Sequence, residues 1–125
     1  MLTKSELEIM NLLWDIEQPL TSSEIVTKSV TKSWKKSYVN LLINSLLKKK
    51  MIEVTGFKQM TKNYARTFVP TMSRDEYNIN QLSAQPGFNK KSIPALFSQL
   101  VEQTDDNQII DELDQILKKR RDELK

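Results

Sequence analysis

Apolar residues recur at helical spacing near the start of the chain. Thr3 is followed three residues later by Glu6, the spacing of a capping box, in which the two side chains satisfy free amides of a first helical turn. A helix that begins after Thr3 should end near Glu17, since Pro19 cannot continue it. The stripe that this helix would bury consists of Ile9, Met10, Leu13, Trp14 and Ile16.

The same pattern recurs immediately afterwards. Thr21 and Glu24 have the spacing of a second capping box, which predicts a second helix that runs to about Lys32. A short extended piece is expected at Leu20, before this helix. The apolar residues of the second helix are Ile25, Val26 and Val30.

The stretch from Trp34 to Lys50 has two unlike faces when it is drawn as a helix. The apolar face comprises Val39, Leu42, Ile43, Leu46 and Leu47. The opposite face, which is mostly polar, comprises Ser37, Asn40, Leu41, Asn44, Ser45 and Lys48. Lys35 stands where a helix cap is expected, and Ser33 is the alternative cap. The pattern is typical of a helix that enters a DNA major groove, and equally of an ordinary amphipathic helix with one solvated face.

After Lys50 the apolar period changes to that of a strand. Residues 51–57 and 64–70 both alternate apolar and polar side chains, and the residues between them are polar. Two such runs joined by a short polar loop predict a β-hairpin. Three helices followed by a hairpin are the plan of a winged helix-turn-helix, with the third helix (about 36–49) in the major groove and the wing (57–64) on the phosphates.

Three further helices are predicted beyond Pro70. Ser73 and Glu76 form a third capping box for a helix that should end near Ala84, Ser92 begins the next helix, and the acidic pair at 105–106 precedes the last. The apolar positions of the last two helices are Ile93, Leu96, Phe97, Leu100, Val101, Ile109, Ile110, Leu113, Ile116 and Leu117.

These helices are too short to bury their own apolar faces, so we expect residues 72–125 to form a helical dimerisation region. The alternative is that they pack back onto the winged domain of the same monomer. The predicted fold class is therefore mainly α, with a winged helix-turn-helix DNA-binding domain at residues 1–71 followed by the three-helix dimerisation domain.

The amino-acid composition narrows the range of possible functions. The 125 residues include no cysteine, no histidine and two glycines, which argues against thiolate metal sites, histidine general bases and phosphate-cradling loops. We expect no catalytic residues, no bound metal and no cofactor; an enzyme would have to work with carboxylates, Lys, Tyr or Ser alone. The sequence has neither a signal peptide nor an apolar run long enough for a membrane span, so a cytoplasmic location without membrane association is expected.

Charge is distributed unevenly. Residues 1–70 carry 11 basic and 6 acidic side chains, whereas residues 71–125 carry 8 and 10. From Lys28 to Arg66 there are ten basic residues and one acid, Glu53. Such a concentration favours an anionic partner, either nucleic acid or an anionic membrane surface.

We therefore predict that the chain binds double-stranded DNA. Asn40 and Asn44 could pair with adenine and Leu41 could contact a thymine methyl group. The full set of predicted DNA-binding residues is Lys35, Lys36, Ser37, Asn40, Leu41, Asn44, Ser45, Lys48, Lys58, Lys62 and Arg66. The alternative is a winged module that binds a protein partner, which would lack salt-dependent binding to duplex DNA.

Several segments, in order, resemble the penicillinase-repressor family (the BlaI, MecI and CopY type of bacterial repressors). They are Glu8-Ile-Met-Asn-Leu-Leu-Trp14, Trp34 with Val39, Leu42, Ile43, Leu46 and Lys48-Lys49, then Tyr64-x-Arg-x-Phe-x-Pro70, Ser73-x-x-x-Tyr77, Leu100-Val-Glu102 and Asp111-Glu-Leu-x-x-Ile-Leu117. The resemblance implies a homodimeric repressor on a palindromic operator, and in the β-lactam branch a sensor protease as a further partner.

The chain departs from the family pattern at several positions. The absence of cysteine excludes the thiolate-based copper response. Gln99–Leu100 stands at the Asn–Phe bond that is cleaved in the β-lactam branch. The recognition helix also differs from the family's usual residues, which implies a different operator; the differing positions are Tyr38, Asn40, Leu41, Ser45 and Lys50.

Overall fold

The computed structural model describes residues 1–29 and 34–125, which divide into two compact units, Met1–Asn80 and Gln81–Lys125. The architecture is mainly α with one antiparallel hairpin, as the sequence predicts. The elements in chain order are α1 (Lys4–Ile16), α2 (Ser22–Lys28), α3 (Lys36–Lys48), β1 (Ile52–Gln59), β2 (Tyr64–Pro70), α4 (Arg74–Ser83), α5 (Ser92–Glu102) and α6 (Asn107–Glu123).

Both predicted capping boxes are present at the first two helices. The Thr3 hydroxyl accepts a hydrogen bond from the Glu6 amide at 3.2 Å, and the Glu6 carboxylate accepts one from the Thr3 amide at 2.8 Å. Thr21 and Glu24 repeat both bonds. Each pair satisfies two of the amides that a helix N-terminus leaves free, so both helix starts agree with the prediction.

The second helix is shorter than predicted. It ends at Lys28 with Ser29 at its C-cap, where the end was expected near Lys32. The Ser29 hydroxyl donates to the Ile25 carbonyl at 2.7 Å, a local bond that competes with the helical backbone pattern. Val30, Lys32 and Ser33, for which the sequence predicts a buried side chain, a helix end and an alternative cap, lie outside the described residues.

The hairpin forms with a register from Ile52↔Pro70 to Gln59↔Tyr64 and a bulge between Val54 and Gly56. β1 extends to Gln59, closer to the tip than the sequence indicated, whereas β2 begins at Tyr64 as predicted, so the turn itself is residues 60–63. The predicted extended piece at Leu20 is also present, because Leu20 and Phe68 exchange backbone hydrogen bonds of 3.2 and 2.9 Å.

The buried core lies in the first unit. It holds apolar residues from α1, α2, α3, the hairpin and α4, which are Ile9, Met10, Leu13, Leu20, Ile25, Val39, Leu42, Ile43, Leu46, Met51, Ile52, Phe68 and Tyr77. These side chains fix α3 against α1, α2 and the hairpin, so the orientation of its exposed face follows from core packing.

The start of α4 belongs to the first unit because it is tied to α1. The Trp14 indole donates to the Met72 carbonyl at 2.9 Å, and its ring lies 5.7 Å from that of Tyr77. Arg74 donates to Asp15 at 2.6 Å and lies over the Trp14 ring. The compact unit thus extends to Asn80, whereas the functional division at residues 71 and 72 stays a prediction.

The second unit contains all ten predicted dimerisation residues. Within Gln81–Lys125, a range that the structure describes completely, no side chain is fully buried. Leu100 and Ile116 are 65% and 62% exposed, so the apolar faces of α5 and α6 remain largely open. Among the described residues, no helix combines the length and the apolar character needed to cross a bilayer.

Candidate nucleic-acid interface

The third helix presents the exposed face that the sequence pattern predicts. Ser37, Asn40 and Asn44 are exposed, and so is Leu41 at 67% despite its apolar side chain. The opposite face is buried in the core through Val39, Leu42, Ile43 and Leu46. A helix anchored on one side, with short polar and small apolar groups on the other, matches the dimensions and chemistry of a DNA major groove.

Two of the predicted base readers lie close to a cation from the hairpin. Asn40 and Asn44 line one cleft of about 270 Å³ together with Arg66, and Ser22 at the start of α2 completes its polar edge. The Arg66 guanidinium lies 5.2 Å from the Phe68 ring centre, which holds it above the core. Amide groups that can read adenine therefore adjoin a guanidinium that can contact phosphate.

The predicted phosphate contacts differ in their surroundings. Lys35, Lys36 and Lys48 are exposed at the two ends of α3, and Lys62 is exposed in the turn of the hairpin. Lys58 lies on β1 and forms an ion pair of 2.7 Å with Glu24. This hydrogen bond lowers the pKa of Glu24 below its usual value. The Glu24 carboxylate therefore offsets the charge that Lys58 can present to a phosphate.

Ser45 faces α1, unlike the other residues of α3 that are predicted to contact DNA. Its hydroxyl donates to the Glu6 carboxylate at 2.5 Å, and the residue is only half-exposed. Ser45 lies at the boundary between the buried and exposed faces of α3, and its hydrogen bond to Glu6 directs the hydroxyl towards α1. The expected contact between Ser45 and DNA therefore has no support in this geometry, and Ser45 is better described as an anchor of α3.

Glu6 links α1 to α3, in addition to the helix cap that its spacing from Thr3 predicts. Its carboxylate is 1% exposed and also accepts a hydrogen bond of 2.7 Å from Lys49, so it joins the start of α1 to the end of α3. Burial alone would raise the Glu6 pKa, but hydrogen bonds from Lys49, Ser45 and Thr3 outweigh it and lower the pKa to about 2. No local pattern signals this contact, since its partners are 39 and 43 residues away.

The start of α3 lacks a side-chain cap, as the sequence predicts for Lys35. The Tyr38 hydroxyl instead donates to the Ser5 hydroxyl at 3.1 Å, and the Trp34 ring meets the Tyr38 ring edge-on at 5.7 Å. These contacts hold the first turn of α3 against α1.

The fold and this surface define a winged helix-turn-helix DNA-binding protein. A family model described as Penicillinase repressor matches residues 2–119, so the chain belongs to the penicillinase repressor family. It is therefore a transcriptional repressor that binds DNA, and the prediction that it is not an enzyme is confirmed by the family.

The chain is also weakly similar to solved structures of other repressors. No curated protein matches. The adhesin competence repressor AdcR from Streptococcus pyogenes is 18% identical with a TM-score of 0.45, over 98% of this chain and 80% of AdcR. A point mutant of ZitR from Lactococcus lactis is 15% identical with a TM-score of 0.45, over 100% of this chain and 77% of ZitR.

Proposed function

We propose that this repressor acts as a homodimer on a palindromic operator. The recognition helix, about residues 36–49, lies in the major groove of each half-site, and the wing at residues 57–64 runs along the phosphate backbone. The observation that carries the proposal is the joint lining of one exposed cleft by Asn40, Asn44 and Arg66. A base-reading pair and a phosphate-binding cation are thereby available to the same short segment of DNA.

Within this proposal the exposed residues of α3 have distinct tasks. Asn40 and Asn44 pair with adenine, Leu41 contacts a thymine methyl group, and Ser37 reaches a base edge or a phosphate. The cations that contact phosphate are Lys35, Lys36, Lys48, Lys62 and Arg66, with Lys58 joining them once it separates from Glu24. Leu41 is 67% exposed in the middle of this face, so its side chain is available to contact a thymine methyl group.

The homodimer is supported by the apolar faces of α5 and α6. Large apolar side chains at 36–65% exposure are spaced along both helices; they are Ile93, Leu100, Ile109, Ile110, Ile116 and Leu117. A second copy of the same surface would cover them, and two-fold symmetry would direct the two recognition helices to successive major grooves about 34–36 Å apart. A palindromic operator then follows from the symmetry of the protein.

The test is selection of bound sequences from random duplex DNA with the full chain. The expected result is a palindrome whose half-site centres lie about 10 base pairs apart or a multiple of that. Recovery of a single unrepeated site would contradict the dimeric arrangement. Failure to enrich any duplex would instead favour the second candidate, a winged module that binds a protein partner.

We do not propose a sensor protease as a partner of this chain. The chain carries Gln99–Leu100 at the position of the bond that is cleaved in the β-lactam branch of the family, so the substrate that such a protease would require is changed.

A further inference from the structure

One edge of α3 is joined to the start of α1 by polar side chains. Tyr38, Ser45 and Lys49 are spaced by seven and four residues, so they lie within about 40° of one another around the helix axis. The Tyr38 hydroxyl donates to the Ser5 hydroxyl at 3.1 Å. The Ser45 hydroxyl and the Lys49 ammonium both donate to the Glu6 carboxylate, at 2.5 and 2.7 Å. We name these five residues the α1–α3 seam.

The seam is built around a buried charge. Glu6 is 1% exposed, and the two α3 residues that bond to it stand one helical turn apart. A buried carboxylate is costly unless its oxygens are paired, so the removal of a partner is opposed strongly. The end of α3 therefore cannot rotate or slide against α1 without breaking hydrogen bonds to this carboxylate.

The seam borders the face of α3 that is proposed to read DNA. Asn44 directly precedes Ser45, Lys48 directly precedes Lys49, and Leu41 stands one turn before Ser45. Side chains reach about 5–6 Å from the axis of a helix, so a rotation of about 10° displaces their outer atoms by about 1 Å. Hydrogen bonds tolerate about half that displacement, since their lengths fall between about 2.7 and 3.2 Å. Base reading from α3 therefore depends on the contacts that fix its rotation.

Two adjacent lysines at the end of α3 differ in their surroundings. Lys48 is exposed at the last residue of the helix. The Lys49 ammonium bonds to Glu6 and also donates to the Met1 carbonyl at 3.0 Å, so it is held on the side of α1. The Glu6 carboxylate offsets the charge of Lys49, which makes Lys49 suited to positioning the helix and Lys48 suited to contacting phosphate.

We propose that the α1–α3 seam positions the recognition helix, and that Ser45 and Lys49 determine sequence discrimination without contacting DNA. Glu6 holds both side chains, and the rotation of α3 that results places Asn40 and Asn44 at hydrogen-bond distance from base edges. This inference rests on the proposed DNA-binding function and adds to it positioning residues that set its specificity.

The test compares the two adjacent lysines in the full-length protein. Discrimination is measured as the ratio of affinities for the selected operator and for operators substituted at the positions that Asn40 and Asn44 read. Lys49→Met should lower this ratio by about tenfold, because the amides are misaligned, and should keep the parent's slope of log affinity against log salt. Lys48→Met is the matched control, which should lower that slope by about 0.9 and keep the parent's discrimination.

Ser45→Ala is a second variant that retains the pair of Glu6 and Lys49. It should relax preference at the same operator positions as Lys49→Met, because both substitutions loosen the same seam. Circular dichroism at the assay temperature measures the folded fraction of each variant. A smaller folded fraction would lower affinity for all duplexes alike, whereas a rotated recognition helix changes the ratio between them.

Three results would overturn the inference. Parent-like discrimination in both Lys49→Met and Ser45→Ala would mean that the seam does not position α3 for reading. A lowered salt slope in Lys49→Met would make Lys49 a phosphate contact. Relaxed preference at a separate operator position in Ser45→Ala alone would make Ser45 a direct base reader. A parent protein that binds no duplex would instead refute the proposed function itself.

Discussion

At the scale of single residues, Lys50 occupies a backbone conformation that favours glycine. Its φ is 60°, just past the end of α3, where left-handed geometry crowds a Cβ atom. Lys50→Gly should therefore stabilise the fold by about 0.5–1 kcal/mol, measured by urea denaturation. Lys48→Gly, inside the last helical turn, is the control and should destabilise by a similar amount. A loss of stability in Lys50→Gly would show that the Lys50 side chain has a compensating contact.

Glu6 should make the free energy of unfolding depend on pH. Its pKa is lowered from 4.5 to about 2 in the folded state, so the folded protein binds fewer protons than the unfolded chain as pH falls. Its contribution is complete above pH 4.5 and is lost as pH falls towards about 2. Glu6→Gln should cost about 2–3 kcal/mol near neutral pH and should reduce the decline in stability below about pH 5.

The control for Glu6 is Ser45→Ala, which removes one donor and keeps the carboxylate and Lys49. It should cost about 1 kcal/mol and retain most of the acid dependence. Urea denaturation at several pH values measures both variants. If Glu6→Gln and the parent protein lost stability in parallel on acidification, other carboxylates would be responsible for the decline.

At the scale of elements, the sequence predicts the residues at which most helices begin, but fewer of the residues at which they end. Thr3 and Thr21 predict helix starts because a capping box is a local arrangement. The end of α2 at Lys28 was not predictable, since the Ser29 side-chain bond gives no periodic signal. The exposed face of α3 follows from helical period, whereas the inward turn of Ser45 and the pairing of Lys58 with Glu24 depend on tertiary contacts.

The recognition helix yields a prediction about base reading. Asn44→Ala should weaken operator binding by about 1–3 kcal/mol and relax preference at one position of each half-site. Asn78→Ala, which removes an exposed amide from α4, is the matched control and should change neither. Binding to operators substituted at one position at a time measures the effect. Equal discrimination by Asn44→Ala and the parent would exclude Asn44 as a base reader.

The wing yields a prediction about ionic contacts. Lys62 is exposed in the turn, so Lys62→Ala should weaken binding to all duplexes alike and should lower the slope of log affinity against log salt by about 0.9. Lys58→Ala should have a smaller effect on binding, because the free protein already pairs Lys58 with Glu24. Titrations at a series of salt concentrations compare the two. An unaltered slope in Lys62→Ala would mean that the turn stays in solvent.

At the scale of the whole molecule, the two compact units pose different problems of stability. The first has a buried core assembled from six elements together with Leu20 and Met51. The second, taken by itself, exposes apolar faces along helices of 11 and 17 residues. An isolated helix as short as α5 is marginal in water, and most of the stability of longer helices in proteins also comes from tertiary packing. Association of two copies would supply packing that the second unit does not provide for itself.

Dimer formation can be separated from DNA recognition by substitutions within α6. Leu117→Asp places a charge on the apolar face that Leu113 and Ile116 share, and burying that charge in an interface would cost several kcal/mol. Gln115→Asp introduces the same charge on the opposite face and serves as the control. Light scattering should give a monomer mass for Leu117→Asp and a dimer mass for the control.

The monomeric variant should lose most of its affinity for the full palindrome. Its weaker binding to an isolated half-site should be unchanged, because α3 lies in the other unit. A dimer mass for Leu117→Asp would show that α6 is not part of the interface. An equal loss of affinity for the isolated half-site would mean that the substitution disturbs folding instead.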